Sequence, residues 1–454
     1  MNQQEFSAAS GIGLLYLVRM LGLFMVLPVL PLAAPGINGA TPVLIGLAIG
    51  IYGLSQAALQ IPFGLLSDRL GRKQVIGLGL VLFITGSVIA GLADDIYLLI
   101  LGRFLQGCGA IASTLLALLS DLTRVDQRAK AMAVVGVAIA GSFGLSLVLG
   151  PLLATYIGLG GIFFLTAVLG CLALGILFLR IPTPEVRSAN LDTTLQLSML
   201  GTVVRDLALW RLNVSIFTLH YLLVSLFTVL PVLFLTTGRI DAADHSLYYL
   251  GLLVVSFIGM LPFMWLADRL RDIRIMLVLT VTLALAAFMI LGGLPGYWWL
   301  LGGATLFFMS FNLLEVVLPA QLSRMAEAGT RGTAMGVYTT CQFLGIFAGG
   351  ALSGWVLSKT DIATLMYVNA GLVTIWLMIC LSIPVYRSVG SRTISLREMS
   401  HLDANQQAEE LSSVAGVIDA VIIKEEQVAY LKVDEAAFSE ESISEWVKPT
   451  GPVT

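Results

Sequence analysis

Residues 61–73 read IPFGLLSDRLGRK, and residues 261–270 read LPFMWLADRL. Both break long apolar runs with charge, the first with Asp68, Arg69, Arg72 and Lys73 inside six positions. Six of the ten aligned positions agree (Pro, Phe, Leu, Asp, Arg, Leu) at an offset of 200 residues. Two more pieces recur in the same order. LFMVLPVL at 23–30 returns as LFTVLPVL at 226–233, with seven of eight positions identical, and RAKAM at 128–132 returns as RGTAM at 331–335, both at an offset of 203. Three matches at nearly one offset mark two homologous halves.

The composition says what solvent those halves occupy. Hydrophobic residues make up 57% of the 454 residues and charged residues 12%, against about a quarter charged in a soluble domain. The apolar runs are about twenty residues long, the length of membrane-crossing helices rather than of barrel strands. Twelve spans are predicted, at 11–33, 43–66, 75–93, 97–120, 131–157, 160–180, 212–236, 247–267, 274–293, 297–323, 332–357 and 363–385. The first is too long for a signal peptide and shows no clear cleavage site, so it is expected to be retained. With the N-terminus cytoplasmic, the inner loops and their flanks hold fifteen Lys and Arg residues, and the outer loops only Arg239 and Lys359. That bias predicts both termini inside. The four cysteines lie within apolar spans without metal or redox spacing, the pattern of inert buried thiols. No nucleophile–base set, nucleotide loop or metal cluster points to an enzyme or an ATP-driven pump, and nothing points to nucleic acid.

The divisions are then residues 1–180 (first half), 181–211 (hydrophilic linker), 212–386 (second half) and 387–454 (a soluble tail). From Tyr386 onward there are twelve acids and six bases, net −6, while the remainder carries sixteen acids and nineteen bases, net +3.

Parallel six-span halves on a long connector are the pattern of a transporter that rocks one half against the other. On these motifs the chain resembles the major facilitator superfamily over residues 10–385. GLLSDRLGRK fits that family's signature for the loop between helices 2 and 3, with Gly64, Asp68, Arg69, Gly71, Arg72 and Lys73 at its defining positions. Arg103, Gln106 and Gly107 (RFLQG) resemble its helix-4 signature. Gly144, Gly150 and Pro151 resemble part of its helix-5 antiporter signature, from which Ser146 and Thr155 depart by standing where glycines are usual. The resemblance implies an all-α membrane fold of twelve helices in two pseudo-symmetric six-helix halves. It also implies a small-molecule substrate, no cofactor, a monomeric body and the bacterial inner membrane. Its drug/proton antiporter branch implies efflux of a lipophilic or weakly polar solute driven by the proton gradient. The alternatives are an uncoupled or sugar-type transporter, and a ligand-sensing membrane protein that signals through its tail.

The charged turn is expected to act as a latch. Gly64 would let helix 2 approach helix 11 of the other half, the neighbour the family assigns. Asp68 would accept from the unpaired N–H groups that open helix 11 near residues 331–333. The resemblance adds Arg72 as a partner of Asp68, and Asp121 as a further acid. Asp268 with Arg269 should repeat the contact against the start of helix 5, more weakly, since Met264 replaces Gly64 and Asp272 replaces Arg72. Topology alone would favour bases and has little use for Asp68.

Ionisable residues inside spans usually face the interior and serve function. Arg19, Arg103, His220 and Glu315 fall on helices 1, 4, 7 and 10, which surround the central path in the family. Glu315 is the only acid deep in any span, and its first-half counterpart, at an offset of 203, is Ala112. A carboxyl group in a partly dehydrated cavity can load and release a proton, which makes Glu315 the leading carrier. A static pair with Arg19 and direct substrate contact are the alternatives. His220 reads as a hydrogen-bonding group or a second carrier, and Arg103 as an aid to proton release. Tyr52, Gln56, Gln60, Gln106, Asn312, Tyr338 and Gln342 are candidate substrate contacts, or else hydrogen-bonding glue between helices.

In the tail, RTISLRE, GVIDAVIIK and QVAYLKV read as strands and DANQQAEELSSV as a helix, with Ser439 capping a last helix. That order resembles a ferredoxin-like fold, which an extra cytoplasmic domain in this branch also carries. No cysteine is present there to bind a soft metal. The acidic tail would suit docking on the basic inner loops or self-association.

Overall fold

The computed structural model describes residues 1–124, 127–183, 197–269, 273–326 and 330–383, and in the tail 389–396, 404–423, 428–434, 437–444 and 446. The twelve predicted spans are helical where described, with three departures from simple rods, the first being a turn at residues 25–29 inside span 1.

The first half holds α1 (Gln3–Phe24), α2 (Leu30–Ala33), α3 (Pro42–Leu70), α4 (Arg72–Gly91), α5 (Ile96–Cys108), α6 (Ala112–Asp121) and α7 (Arg128–Leu179). Spans 5 and 6 are two helices within α7, with no loop between them. They are joined at Gly158, whose φ of 66° and ψ of −176° suit glycine alone, and nothing lies within 4 Å of the place a Cβ would take. Glycine is there for its backbone freedom and not for space. Span 4 is interrupted at residues 109–111, between α5 and α6.

After the linker helix α8 (Leu197–Arg205), the second half holds α9 (Leu207–Thr236), α10 (His245–Arg269), α11 (Ile273–Gly293), α12 (Tyr297–Met325), α13 (Arg331–Leu357) and α14 (Ile362–Leu381). The repeated octapeptide is turn in the first half, over residues 25–29, and helix in the second, inside α9. Helix starts are capped where the sequence offers short polar side chains: Thr41 before α3, Asp95 before α5, Asp206 before α9 and Asp361 before α14. Each accepts from first-turn amides that have no intrahelical partner. Side chains such as Tyr156, Leu179 and Trp298, more than three-quarters exposed, form an apolar outer belt, as lipid requires.

We call the end carrying Asp68 and Arg331 the motif end. At the opposite end the halves are sealed together. One apolar cluster there joins Leu21, Phe24, Leu27, Leu30 and Ile49 of the first half to Leu222, Leu226, Leu230 and Tyr249 of the second. Glycines bring α3 and α13 to backbone contact. A Cβ on Gly46 would strike the Gly350 carbonyl, one on Gly50 would lie 2.6 Å from the Phe347 carbonyl oxygen, and one on Gly53 2.5 Å from that of Phe343. Backbones this close gain dispersion contacts that lipid cannot supply. At the motif end, Ala9, Ile12, Leu15, Leu115 and Leu118 belong to a second cluster with members from the first half alone.

The tail forms a three-stranded antiparallel sheet in the order β1–β3–β2, with β1 Val389–Ser395, β2 Val417–Ile423 and β3 Val428–Asp434, and α15 (Ala404–Ser412) joining β1 to β2. Leu396, Leu411, Ala429, Leu431, Val433 and Ile443 pack beneath it. The expected last helix is instead one 3-10 turn, Glu440–Ile443, with Ser439 accepting from Glu441 N at 3.3 Å. A fourth strand is not among the described residues.

Candidate functional site

The ionisable residues predicted within the spans fall into separate clusters in the two halves. In the second half three helices bring together His220 (α9), Glu315 (α12), and Tyr338 and Gln342 (both α13). His220 Nδ1 faces the Ile216 carbonyl at 3.3 Å. A carbonyl only accepts, so Nδ1 carries the hydrogen and Nε2 is left as an acceptor. Gln342 Nε2 meets that acceptor at 2.8 Å. Glu315 Oε2 stands 3.8 Å from the same Nε2 and makes no hydrogen bond among the described residues. Its side chain is 40% exposed while that of His220 is 2% exposed, but the unbonded Oε2 that faces the ring is itself buried. Tyr338 lies within electrostatic reach of Glu315, with its hydroxyl buried and unbonded. Phe311, one turn along α12 from Glu315, packs edge-on to His220 at 5.7 Å, and Phe143 of the first half lies 5.5 Å from Phe311. The acidic site therefore sits directly behind the aromatic contact between the halves.

In the first half, Arg19 on α1 donates through Nη2 to Gln56 Oε1 and reaches Tyr52 Oη at 3.5 Å, both on α3. Gln56 continues to Gln60 at 3.3 Å. The alternative of an Arg19–Glu315 pair is not realised: Arg19 is occupied inside its own half, and Glu315 has His220 as its neighbour. Arg103 and Gln106 are likewise wholly buried between α3, α4 and α5. Arg103 donates to the Ala48 carbonyl at 3.3 Å and to Gln106 at 2.9 Å, and its guanidinium lies 5.1 Å over the Tyr52 ring. Gln106 donates on to Ser87 at 2.8 Å. These two staple the first half together and do not line the central space. Asn312 donates to Ser256 on α10 at 3.2 Å, in the role of glue.

The charged turn is built as a network. Gly71, at φ 110°, lets α3 end and α4 start within one residue. Arg72 is then turned back on α3, where it pairs with Asp68, donates to Ser67 at 2.7 Å and pairs with Asp121 at the end of α6 at 3.2 Å. Arg72 and Asp121 side chains are 4% and 1% exposed, against 40% for Asp68, so Asp68 is the member that looks outward. Lys73 donates to the Ile181 carbonyl at 2.8 Å and covers the Phe178 ring, while Arg69 is exposed. In the state described here Gly64 makes no close α3–α13 contact. A Cβ there would meet only Ser113 of α6, at 3.5 Å, because in this state the close packing is made about three to five turns toward the opposite end, at Gly46, Gly50 and Gly53. The Asp268 and Arg269 side chains lie outside the described residues, as do residues 327–329 before α13. Of the helix-5 motif, Gly150 packs on the Met25 backbone at 2.5 Å of a Cβ position, Gly144 faces Leu253 of the other half at 3.9 Å, and Pro151 sits within α7.

Sequence reasoning missed a clamp at the same end. Glu5, 5% exposed, caps α1 with Asn2 and takes Arg124 Nε at 2.8 Å, tying the start of α1 to the end of span 4. Its signal was the box Asn2–Glu5, which precedes the first apolar run.

Comparison with known proteins agrees with this architecture. The family model described as "Major Facilitator Superfamily" matches residues 12–350 and 240–425. The Escherichia coli inner membrane transport protein YajR is 40% identical over 436 residues, covering 96% of this chain and 95% of that protein. The Staphylococcus aureus quinolone resistance protein NorA is 25% identical, covering 78% and 90%. Among solved structures, a bacterial homologue of the human lysosomal transporter Spinster, in an inward-facing and occupied conformation, superposes with a TM-score of 0.69 at 13% identity, covering 84% of this chain and 97% of that one. The chain belongs to the major facilitator superfamily and is a membrane transporter, not an enzyme.

Proposed function

We propose that this transporter is a proton-coupled exporter of lipophilic or weakly polar small molecules, resident in a bacterial inner membrane with both termini cytoplasmic. The observation that carries the reading is Glu315: an acid inside a span, its side chain 40% exposed and its buried Oε2 unbonded, 3.8 Å from the acceptor nitrogen of a histidine. A proton arriving at Glu315 removes its charge, and one arriving at His220 Nε2 would displace Gln342. Either event changes the packing of α13. That helix also carries the glycine seam with α3 and begins at the motif end. The printed names of the drug-resistance relative and the inner-membrane relative support efflux and location.

Alternating access follows from the two ends. The seam at the opposite end is closed here, while the first half packs independently at the motif end. With the motif end cytoplasmic, this is the inward-facing state. The Asp68–Arg72–Asp121 network then serves as the latch of the reverse state, in which Asp68 meets the start of α13. Each end stabilises one of two states, and transport requires that neither dominate.

The test is flux in proteoliposomes across a panel of lipophilic solutes, with and without an imposed pH gradient. Gradient-dependent uptake of at least one lipophilic or weakly polar solute is expected. Equal flux under both conditions for every transported solute rejects coupling. Asp68→Asn should reduce flux at least about tenfold, the effect of about 1.4 kcal/mol on one state, with insertion and melting temperature near wild type, since Asp68 is partly exposed. Asp121→Asn should instead lower the melting temperature, because it strips a buried partner from Arg72 at a cost of about 1–3 kcal/mol or more. Normal flux in Asp68→Asn rejects the latch.

A further inference from the structure

The interruption of span 4 leaves donors without acceptors in the middle of the first half. α5 ends at Cys108 and α6 begins at Ala112, and between them Ala110 N bonds Cys108 O and Ile111 N bonds Gly109 O, each at 2.8 Å. Unwound backbone at membrane depth persists only where protein or a cavity surrounds it, and interrupted helices are where anionic substrate groups meet helix N-termini. The first amide to find an i−4 carbonyl is Leu115, on Ile111 O at 2.9 Å. The amides of Ala112, Ser113 and Thr114 find no backbone acceptor among the described residues, and Thr114 Oγ1 is buried and unbonded.

Arg19 is an independent second feature. It is 1% exposed, and while Nη2 serves Gln56 and Tyr52, both Nε and Nη1 are buried with no partner. None of the ion pairs among the described residues involves it. Its place is bracketed on both sides. Tyr16, one turn earlier on α1 and within reach of the Arg19 charge, donates to the Ala112 carbonyl. On the other side the chain Gln56–Gln60 ends at the Gln60 carbonyl, which accepts from Ser113 at 3.3 Å. The guanidinium is thus held between α1 and α3, and about one turn away along each of those helices Tyr16 and Gln60 bond the first turn of α6. A buried cation lacking a counter-charge is costly, and every unpartnered group around it can donate. The repeat offset of 203 also sets Ala112 where Glu315 stands in the second half, so this donor cluster occupies the depth of the acidic site.

We infer that Arg19, Thr114 and the first-turn amides of α6 form a subsite for one carboxylate of a lipophilic substrate. The amide oxygen of Gln56 is the neutral group that the carboxylate would exchange for on Arg19. The inference rests on the transporter reading but not on proton coupling, and it narrows the solute class to lipophilic molecules bearing a single negative group.

Calorimetric binding to the full chain in nanodiscs tests it with three isosteres: 1-naphthoate, 1-naphthamide and 1-naphthylmethylammonium. Saturable naphthoate binding at least tenfold tighter than that of the amide is expected, with the ammonium weaker still. Arg19→Gln should remove that preference and Arg19→Lys should keep part of it. The wild-type comparison needs no variant, so it stands even if Arg19→Gln fails to fold. Equal affinity for naphthoate and naphthamide, no naphthoate binding, or an unchanged preference in folded Arg19→Gln overturns the inference. Glu315→Gln should still bind naphthoate. Loss of pH-driven flux in that variant with binding intact separates this subsite from the coupling reading.

Discussion

Replacing Glu315 with Gln should bring the ratio of flux with and without a pH gradient to about one, because a proton that no longer binds the two states differently contributes no coupling free energy. The wild type should gain about 1.4 kcal/mol of driving force per pH unit for each proton exchanged, a tenfold steeper achievable gradient. The side chain stays the same size, and its oxygen can still stand near His220 Nε2. Substrate counterflow at equal pH should therefore persist in the variant. That contrast is the informative one, since a misfolded protein would lose both. Full gradient-driven flux in Glu315→Gln removes the carrier role. If coupling survives there but is lost in His220→Asn, the proton belongs to the histidine, whose Nε2 accepts from Gln342 in the state described here.

The second large effect is expected from Gly50→Leu. A Cβ at Gly50 would lie 2.6 Å from the Phe347 carbonyl oxygen and 3.1 Å from its Cα. Those are backbone atoms of α13, which cannot turn away as a side chain can. Overpacking in cores typically costs about 1–3 kcal/mol, and here the whole cost falls on the state in which the opposite end is sealed. Transport should fall at least about tenfold, which corresponds to 1.4 kcal/mol on that state. The chain should remain inserted, and a reporter cysteine near Thr41 should become more reactive to aqueous thiol reagents. Gly251→Leu is the matched control, because that glycine is exposed with nothing within 4 Å of its Cβ position. Unchanged flux in Gly50→Leu, or equal damage in the control, removes the seam from the transport cycle.

The sequence alone determined the solvent, the number of spans and the two-fold repeat. Each depends on apolar length, charge placement or self-similarity, and those are properties of the chain read in order. The pairing of Arg72 with Asp68 and Asp121 was implied by the resemblance to the family, and the structure forms both pairs. Which polar residues share a cluster was decided only by the tertiary structure. Arg19 and Glu315 looked like partners by depth, but a helix's rotation about its axis is set by packing, and packing turned Arg19 to α3 and Glu315 to α9. Gly64 was the close contact expected by motif, and in this state the close approach of α3 and α13 lies instead at Gly46, Gly50 and Gly53. The break at residues 109–111 carries no proline and lies in an apolar run. Gly79 of α4 lies against Gly109, and Tyr16 of α1 bonds the Ala112 carbonyl just beyond the break, and no linear reading brings those residues together.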